Sequence, residues 1–311
     1  MDYSEFDFKS YTDDVRITCY KFMPESKAKA IIQMSHGMSE KALRYTPVIE
    51  SLVSEGFGVY INDHRGHGKS AHKKFGYMGE GDVFLKMVRD MRSLNHILTR
   101  ENPGVPVVLL GHSMGSFLSQ RYIQIYPETV DMLLLSGSNG KNQIPVSKAG
   151  KIVARIMMIA LGTEKEADFI RDAQDLFFNK KIRNRKTKSD WLTTKQSEVG
   201  RYEQSNDMGF SFTTSAYYYL FKGITQNFNS RNLKIIPKEM PLFIFSGDRD
   251  PVGDYGKGLE NLEHMYKRAG LKNVVLKLYK DKRHEIFNEV NREEVIKDVA
   301  EFISLNLPHK I

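Results

Sequence analysis

Along this chain, compact apolar runs alternate with longer stretches in which apolar residues return every third or fourth position. The compact runs are VRITCYKF (Val15 to Phe22), AKAIIQMSHG (Ala28 to Gly37), GFGVYINDHRGHG (Gly56 to Gly68) and VPVVLLGHS (Val105 to Ser113). VDMLLLSGS (Val130 to Ser138), PLFIFSGDRD (Pro241 to Asp250) and NVVLKLYKD (Asn273 to Asp281) complete the set. Several stay apolar until glycine or polar residues end them, as parallel strands buried on both faces do. Between them, TPVIESLVSEG stops at Gly56 and FLKMVRDMRSLNHILTR spans Phe84 to Arg100 with helical periodicity. The last segment opens on Asn291, with Glu294 three residues on, an N-cap signature. Its Val295, Val299, Phe302 and Ile303 share one helical face. This alternation predicts an α/β fold with a doubly wound, mostly parallel sheet.

One interval breaks the rhythm. From about Asn139 to Glu239 no buried strand is evident, and helical patterns take over: VSKAGKIVARIMMIALG, EADFIRDAQDLFF and FTTSAYYYLFKGI. The chain therefore divides into a first core segment (1–138), a helical insertion (139–239) and a second core segment (240–311).

Composition narrows the class. The 311 residues are 41% hydrophobic and 27% charged, ordinary for a globular chain with a sizeable core. Cys19 is the only cysteine, which excludes an intrachain disulfide or a cysteine-based metal site and suits a reducing, cytoplasmic compartment. The acidic opening MDYSEFDFKSYTDDVR does not read as a secretory signal, and no apolar run is long enough for a membrane span. A net charge of +8 favours anionic surfaces or ligands without calling for nucleic acid.

The run VVLL passes directly into Gly111-His112-Ser113-Met114-Gly115, and MGSFLSQRYIQIYPE behind it reads as a helix. A G-x-S-x-G turn between strand and helix holds its serine at the carboxyl end of a sheet. A serine hydroxyl needs a base to take its proton, and a histidine base needs a carboxylate to orient it. On such a sheet the partners follow in the order acid, then histidine, each after a later strand. Asp250 ends PLFIFSGDRD and His284 follows VVLKLYKDKRHE, which matches that order. Asp248 is the rival acid; a turn starting at Gly247 favours Asp250. Two backbone donors for an oxyanion are expected, the N–H of Met114 and that of Met38 in MSHGMSE.

With these motifs in place, nearly the whole chain resembles the serine α/β-hydrolases, and within them the monoacylglycerol lipase and lysophospholipase group. HGMSEKALRY is similar to that group's HG-x-G-E-H-x-x-RY, DHRGHGKS to DH-x-GHG-x-S, and GHSMGS to GHSMGG; VRD at Val88 to Asp90 also fits. The resemblance implies an α/β-hydrolase fold with Ser113, Asp250 and His284 as triad and Met38 and Met114 as oxyanion donors. It implies a cap over an acyl pocket at the insertion, and a medium- or long-chain acyl ester such as monoacylglycerol or lysophospholipid as substrate. No metal or organic cofactor is needed. Ser39, Lys41 and Ser116 depart from the group's residues.

Other readings remain beside this one. A short-chain carboxylesterase, thioesterase or peptidase would use the same machinery, and a non-catalytic binding protein would need none of it. An Asp-nucleophile enzyme is excluded by Ser113. His36, His64 and His67 suggest a metal at first sight but sit in separate glycine turns, which favours structural hydrogen bonding. Tyr217, Tyr218, Tyr219, Met157 and Met158 fit either a lipid pocket or the insertion's own core. Lys180, Lys181, Arg183, Arg185, Lys186 and Lys188 place six charges in nine residues, flanked by Phe177, Phe178 and Trp191. This tract is either a solvated face or a contact for anionic membrane. No aromatic interleaves the charges, which disfavours nucleic acid.

Overall fold

A computed structural model describes residues 3–307. Residues 1–2 and 308–311, the outer ends of the two expected core segments, lie outside the described residues. One sheet contains β1 (Ser4–Lys9), β2 (Arg16–Phe22), β3 (Ile31–Ser35), β4 (Gly58–Asn62), β5 (Val107–His112), β6 (Met132–Ser136), β7 (Leu242–Gly247) and β8 (Val274–Tyr279). Their order is β1-β2-β4-β3-β5-β6-β7-β8, with β2 antiparallel to both neighbours and the rest parallel. All seven expected strands form. β1, which the apolar pattern did not mark, is an edge strand: SEFDFK keeps an alternating face in water and packs only Phe6 and Phe8 on the core.

Before the insertion come α1 (Thr46–Ser54), α2 (Val83–Glu101) and α3 (Met114–Ile125). Between β6 and β7 lie α4 (Gln143–Leu161), α5 (Asp168–Phe178), α6 (Gln196–Glu203), α7 (Thr214–Asn227) and α8 (Ser230–Leu233); α9 (Lys257–Arg268) and α10 (Arg292–Leu305) follow. α1 and α10 bury Ile49, Leu52, Val299 and Ile303 on one face of the sheet. α2, α3 and α9 bury Met87, Leu118 and Leu262 on the other, and α7 extends that layer through Tyr217 and Phe221. The helix start at Asn291 is where the sequence places it, but the capping bond is not. Asn291 Nδ2 donates to Glu294 Oε2 (2.8 Å), and its Oδ1 stays unpartnered.

The register aligns the strand ends. Ser35 pairs with Gly111, His112 with Ser136 and Gly247 with Tyr279. The loops leaving β3, β5, β6, β7 and β8 therefore gather at one edge of the sheet, where open α/β sheets place their ligands.

Candidate active site

Ser113 joins β5 to α3 with φ +52°, a left-handed conformation unfavourable for a serine. Its surroundings enforce it. Ser113 N–H donates to the Ser136 carbonyl (2.9 Å), and the Ser113 carbonyl accepts from Ser116 N–H (2.9 Å) and Ser116 Oγ (2.6 Å). Ser116, one of the departures from the family pattern, thus braces the turn. A Cβ on Gly115 would fall on the Ser35 carbonyl oxygen, so only glycine lets α3 approach β3 this closely.

His284 follows β8, and its Nδ1 lies 3.0 and 3.1 Å from the two oxygens of Asp250. Asp250 is 0% exposed and also accepts from Ser246 Oγ (2.7 Å) and Val252 N–H (2.8 Å). Burial pushes the Asp250 carboxyl up, but the His284 charge and these donors hold it below its ordinary value. Burial pushes His284 down, and the Asp250 charge more than reverses this, leaving the imidazole above its ordinary value. Asp248, the rival acid, makes no bond to His284; its Oδ1 is buried without a partner. Ser113 and His284 line one cavity without a hydrogen bond between them, a looseness common before substrate seats.

The β3 loop brings Met38 to the same cavity. Among the described residues, the backbone N–H groups of Met38 and Met114 have no partner in the chain. Three buried histidines fix this loop. His36 Nδ1 donates to the Gly37 carbonyl (2.8 Å) while its Nε2 accepts from His64 N–H (2.9 Å). His67 Nε2 accepts from Ser39 N–H (3.2 Å), and His64 Nε2 bonds Ser35 Oγ (2.9 Å). Burial holds His64 far below its ordinary value and His67 at about 3, so neither charges near neutral pH. These are the structural roles that the glycine turns suggested.

A buried ion cluster then ties this loop to the histidine loop. Glu40 Oε1 accepts from Gly37 N–H (2.5 Å), Glu40 Oε2 from Arg44 (3.1 Å), and Arg44 forks onto both oxygens of Glu285 (2.5 and 2.7 Å). Sequence motifs marked HGMSEKALRY but not this bridge, because Glu285 lies 241 residues from Arg44.

The cavity holds about 150 Å³. Met38, Phe117, Leu220, Phe221 and Ile224 form an apolar wall; Arg171, Gln174, Asp175, Lys188 and Glu203 form a polar one from the insertion. Gln174 Oε1 is buried there without a partner. Trp191 is 9% exposed, its ring 5.1 Å from that of His284, and its Nε1 donates to Asp175 Oδ1 (3.1 Å). Burial pushes the Asp175 carboxyl up to about 6 despite that bond and nearby Lys188. Tyr217 is buried in the core shared with the sheet, Tyr218, Tyr219 and Met157 pack partly buried against it, and none of these, nor Met158, lines this cavity. Phe178 and Trp191 turn inward and line the cavity (ring centroids 4.7 Å apart), and Phe177 alone of the tract's aromatics faces water.

A serine hydroxyl, an oriented imidazole and two free N–H donors around one cavity with an apolar wall can perform acyl transfer. The sequence profile of the Hydrolase_4 family, described as serine aminopeptidase S33, matches residues 26–291. A monoacylglycerol lipase of Mycolicibacterium smegmatis is 27% identical over 297 residues, 94% of each chain. A probable lysophospholipase L2 of Haemophilus influenzae is 23% identical over 288 residues, 91% of this chain and 86% of that one. A thermostable carboxyl esterase from Bacillus coagulans, solved with glycerol, superimposes with a TM-score of 0.91 at 26% identity, covering 99% of this chain and 100% of that one.

Proposed function

The chain belongs to the Hydrolase_4 (serine aminopeptidase S33) family of serine hydrolases, and on that premise we propose that it cleaves medium- or long-chain acyl esters such as monoacylglycerols or lysophospholipids. Ser113 Oγ attacks the ester carbonyl while His284 Nε2 takes its proton. The oxyanion accepts from the Met38 and Met114 N–H groups. Collapse expels the alcohol, protonated by His284, and a water activated by the same imidazole releases the acid. Asp250 keeps the proton on Nδ1 and stabilises the imidazolium. Residues 139–239 act as a cap: their Leu220, Phe221 and Ile224, with Met38 and Phe117 of the core, take the acyl chain, and Gln174 Oε1 accepts from a hydroxyl of the alcohol. A cavity of about 150 Å³ is below the ~300–1,000 Å³ of ordinary ligand sites, so a long chain requires the cap to shift.

The observation that carries this reading is the convergence of Ser113, His284 and two unpartnered N–H groups on a cavity with an apolar wall. A fluorophosphonate should label Ser113, and 1-monoacylglycerol should be turned over alongside p-nitrophenyl esters. A peptidase reading draws on Glu203 and Asp175, acids that face the cavity and could hold a free α-ammonium. The more deeply buried Glu40 and Glu285 are both already paired with Arg44. Preferential turnover of aminoacyl-p-nitroanilides would select that alternative.

No helix among the described residues is long and apolar enough to cross a membrane. The buried, unpaired Cys19 supports a cytoplasmic setting. Peripheral contact with anionic lipid fits the cap surface. All six cations of the 180–188 tract are exposed, Ile152, Ile156 and Ile159 on α4 present an apolar face to water, and Phe169 and Phe177 on α5 are exposed as well. Sedimentation with phosphatidylserine vesicles that fades with salt supports this contact; equal sedimentation with neutral vesicles, or none, removes it.

A further inference from the structure

A second concavity, of about 410 Å³, lies where the insertion leaves and rejoins the sheet. Lys141 lines it from the exit, just before α4, and Leu233 and Lys234 line it from the return, at the end of α8. His264, Met265 and Arg268 of α9 supply its third side. No carboxylate lines it. Of the acids next to the lining in sequence, Glu263 pairs with Lys267 (2.7 Å) and Glu239 with Lys272, while Glu260 is exposed and lies outside the lining. Among the described residues, the Lys141 and Lys234 ammonium groups and the Arg268 guanidinium have no hydrogen-bond or ion-pair partner. By contrast, Lys41, Lys69 and Lys73 on the same molecule all find carboxylates.

The backbone fixes this gathering of like charge. On the exit, Gly140 N–H donates to the Gly258 carbonyl (3.1 Å) and Lys141 N–H to Asn261 Oδ1 (2.8 Å), both on α9. On the return, Lys238 Nζ holds the Lys234 carbonyl (3.0 Å), and the Lys238 carbonyl accepts from Lys272 N–H (2.9 Å) just beyond α9. Three cations held around one hollow repel each other until an anion enters, and two ammonium groups with a guanidinium suit a phosphate's several oxygens. His264 Nδ1 already donates to the Glu260 carbonyl (2.7 Å), so its Nε2 is the nitrogen free to face a ligand. Buried Leu233 and Met265 offer apolar surface to an attached organic group.

We propose that this site binds a phosphate-bearing anion, a free phosphate ester or a phospholipid headgroup, and thereby clamps both hinges of the insertion to α9. The site stands independently of the ester chemistry, because it shares no residue with the catalytic cavity. The test uses the full chain at constant ionic strength set with chloride. Inorganic phosphate and glycerol 3-phosphate are titrated calorimetrically, and phosphatidylcholine vesicles with and without phosphatidate are tested by sedimentation. The same titrations are run on Lys141→Gln/Lys234→Gln/Arg268→Gln. Affinity in at least one arm should fall tenfold or more in the triple variant. The free ions losing affinity identify a soluble ester; phosphatidate vesicles alone doing so identify a headgroup. In the wild type, the bound anion should slow amide exchange at 139–142 and 230–236. Absence of binding in both arms overturns the proposal, as does unchanged binding by the triple variant. The wild-type titrations and exchange data decide the matter even if that variant is unstable.

Discussion

The two halves of the catalytic cavity are built differently. The half carried by the strand ends is over-determined: Ser113, Gly37, Asp250 and His284 are each held by several hydrogen bonds inside a buried polar network. The half carried by the insertion presents an unpartnered Gln174 Oε1, an Asp175 carboxyl that burial pushes up and, on its outer face, Ile156 and Ile159 exposed by 60% and 76%. Chemistry that depends on sub-ångström placement sits on the rigid half. The half that meets variable acyl chains has fewer constraints, as elements that must open do.

The largest test removes the rigid half's reacting groups. Ser113→Ala and His284→Ala should each lower kcat by ~10⁴- to 10⁶-fold with the fold intact. Asp250→Asn should be severe but milder, and Asp248→Asn should be near wild type because that carboxylate touches neither Ser113 nor His284. A greater loss from Asp248→Asn would reverse the assignment of the acid. The same assays carried across pH should show the acid limb above 6.5. The Asp250 charge raises His284, so the base is lost to protonation as pH falls through that elevated value. A limb well below 6.5 would mean that Asp250 does not hold the imidazole as described.

The next test breaks the bridge inside the rigid half. Arg44→Met strands Glu40 and Glu285, two buried carboxylates, and should cost about 3–5 kcal/mol in denaturant unfolding. Activity should fall as well, since Glu40 fixes the Gly37 N–H beside the oxyanion loop. Replacing all three residues together (Arg44→Met with Glu40→Gln and Glu285→Gln) should recover much of the stability. A loss under about 1 kcal/mol for Arg44→Met would place this pair with ordinary surface bridges.

The contrast also explains what the sequence disclosed. Strand runs such as VVLLGHS are legible because burial on both faces leaves no polar residue to blur them, and strand ends place Ser113, Asp250 and His284 in order. The geometry of the proposed triad followed from topology. The cavity wall did not. Phe117, Phe210 and Trp191 come together from three distant segments, and nothing local distinguishes them from Tyr217 and Met157, which pack on the core shared with the sheet. α9 was legible in principle, since Leu259, Leu262 and Tyr266 fall on one buried face, but its many charges mask that stripe.

The third test reads the looser half. Each methylene buried against Phe117, Leu220 and Phe221 contributes at most about 0.8 kcal/mol, so kcat/KM should climb from acetyl to roughly octanoyl p-nitrophenyl esters. An optimum at acetate would make the closed cavity the working one and the protein a short-chain esterase.

The smallest effect is expected where the halves meet. Ser39 and Lys41, the two positions of the oxyanion segment that depart from the family pattern, both reach the insertion. Ser39 Oγ donates to the Phe210 carbonyl (2.7 Å), the Ser39 carbonyl accepts from Gly209 N–H (2.8 Å), and Lys41 Nζ pairs with Asp207 (2.5 Å). Ser39 does this at φ +55°, a conformation that favours glycine. The Lys41 pair is about one-third exposed on both sides, so it contributes ~0–1 kcal/mol. Its position makes even that informative. If the latch holds the insertion shut, Lys41→Met should leave unfolding within about 1 kcal/mol of wild type yet raise kcat/KM for long esters more than for acetate, by a few-fold. Equal change for both chain lengths would show that the insertion moves as freely with the latch as without it.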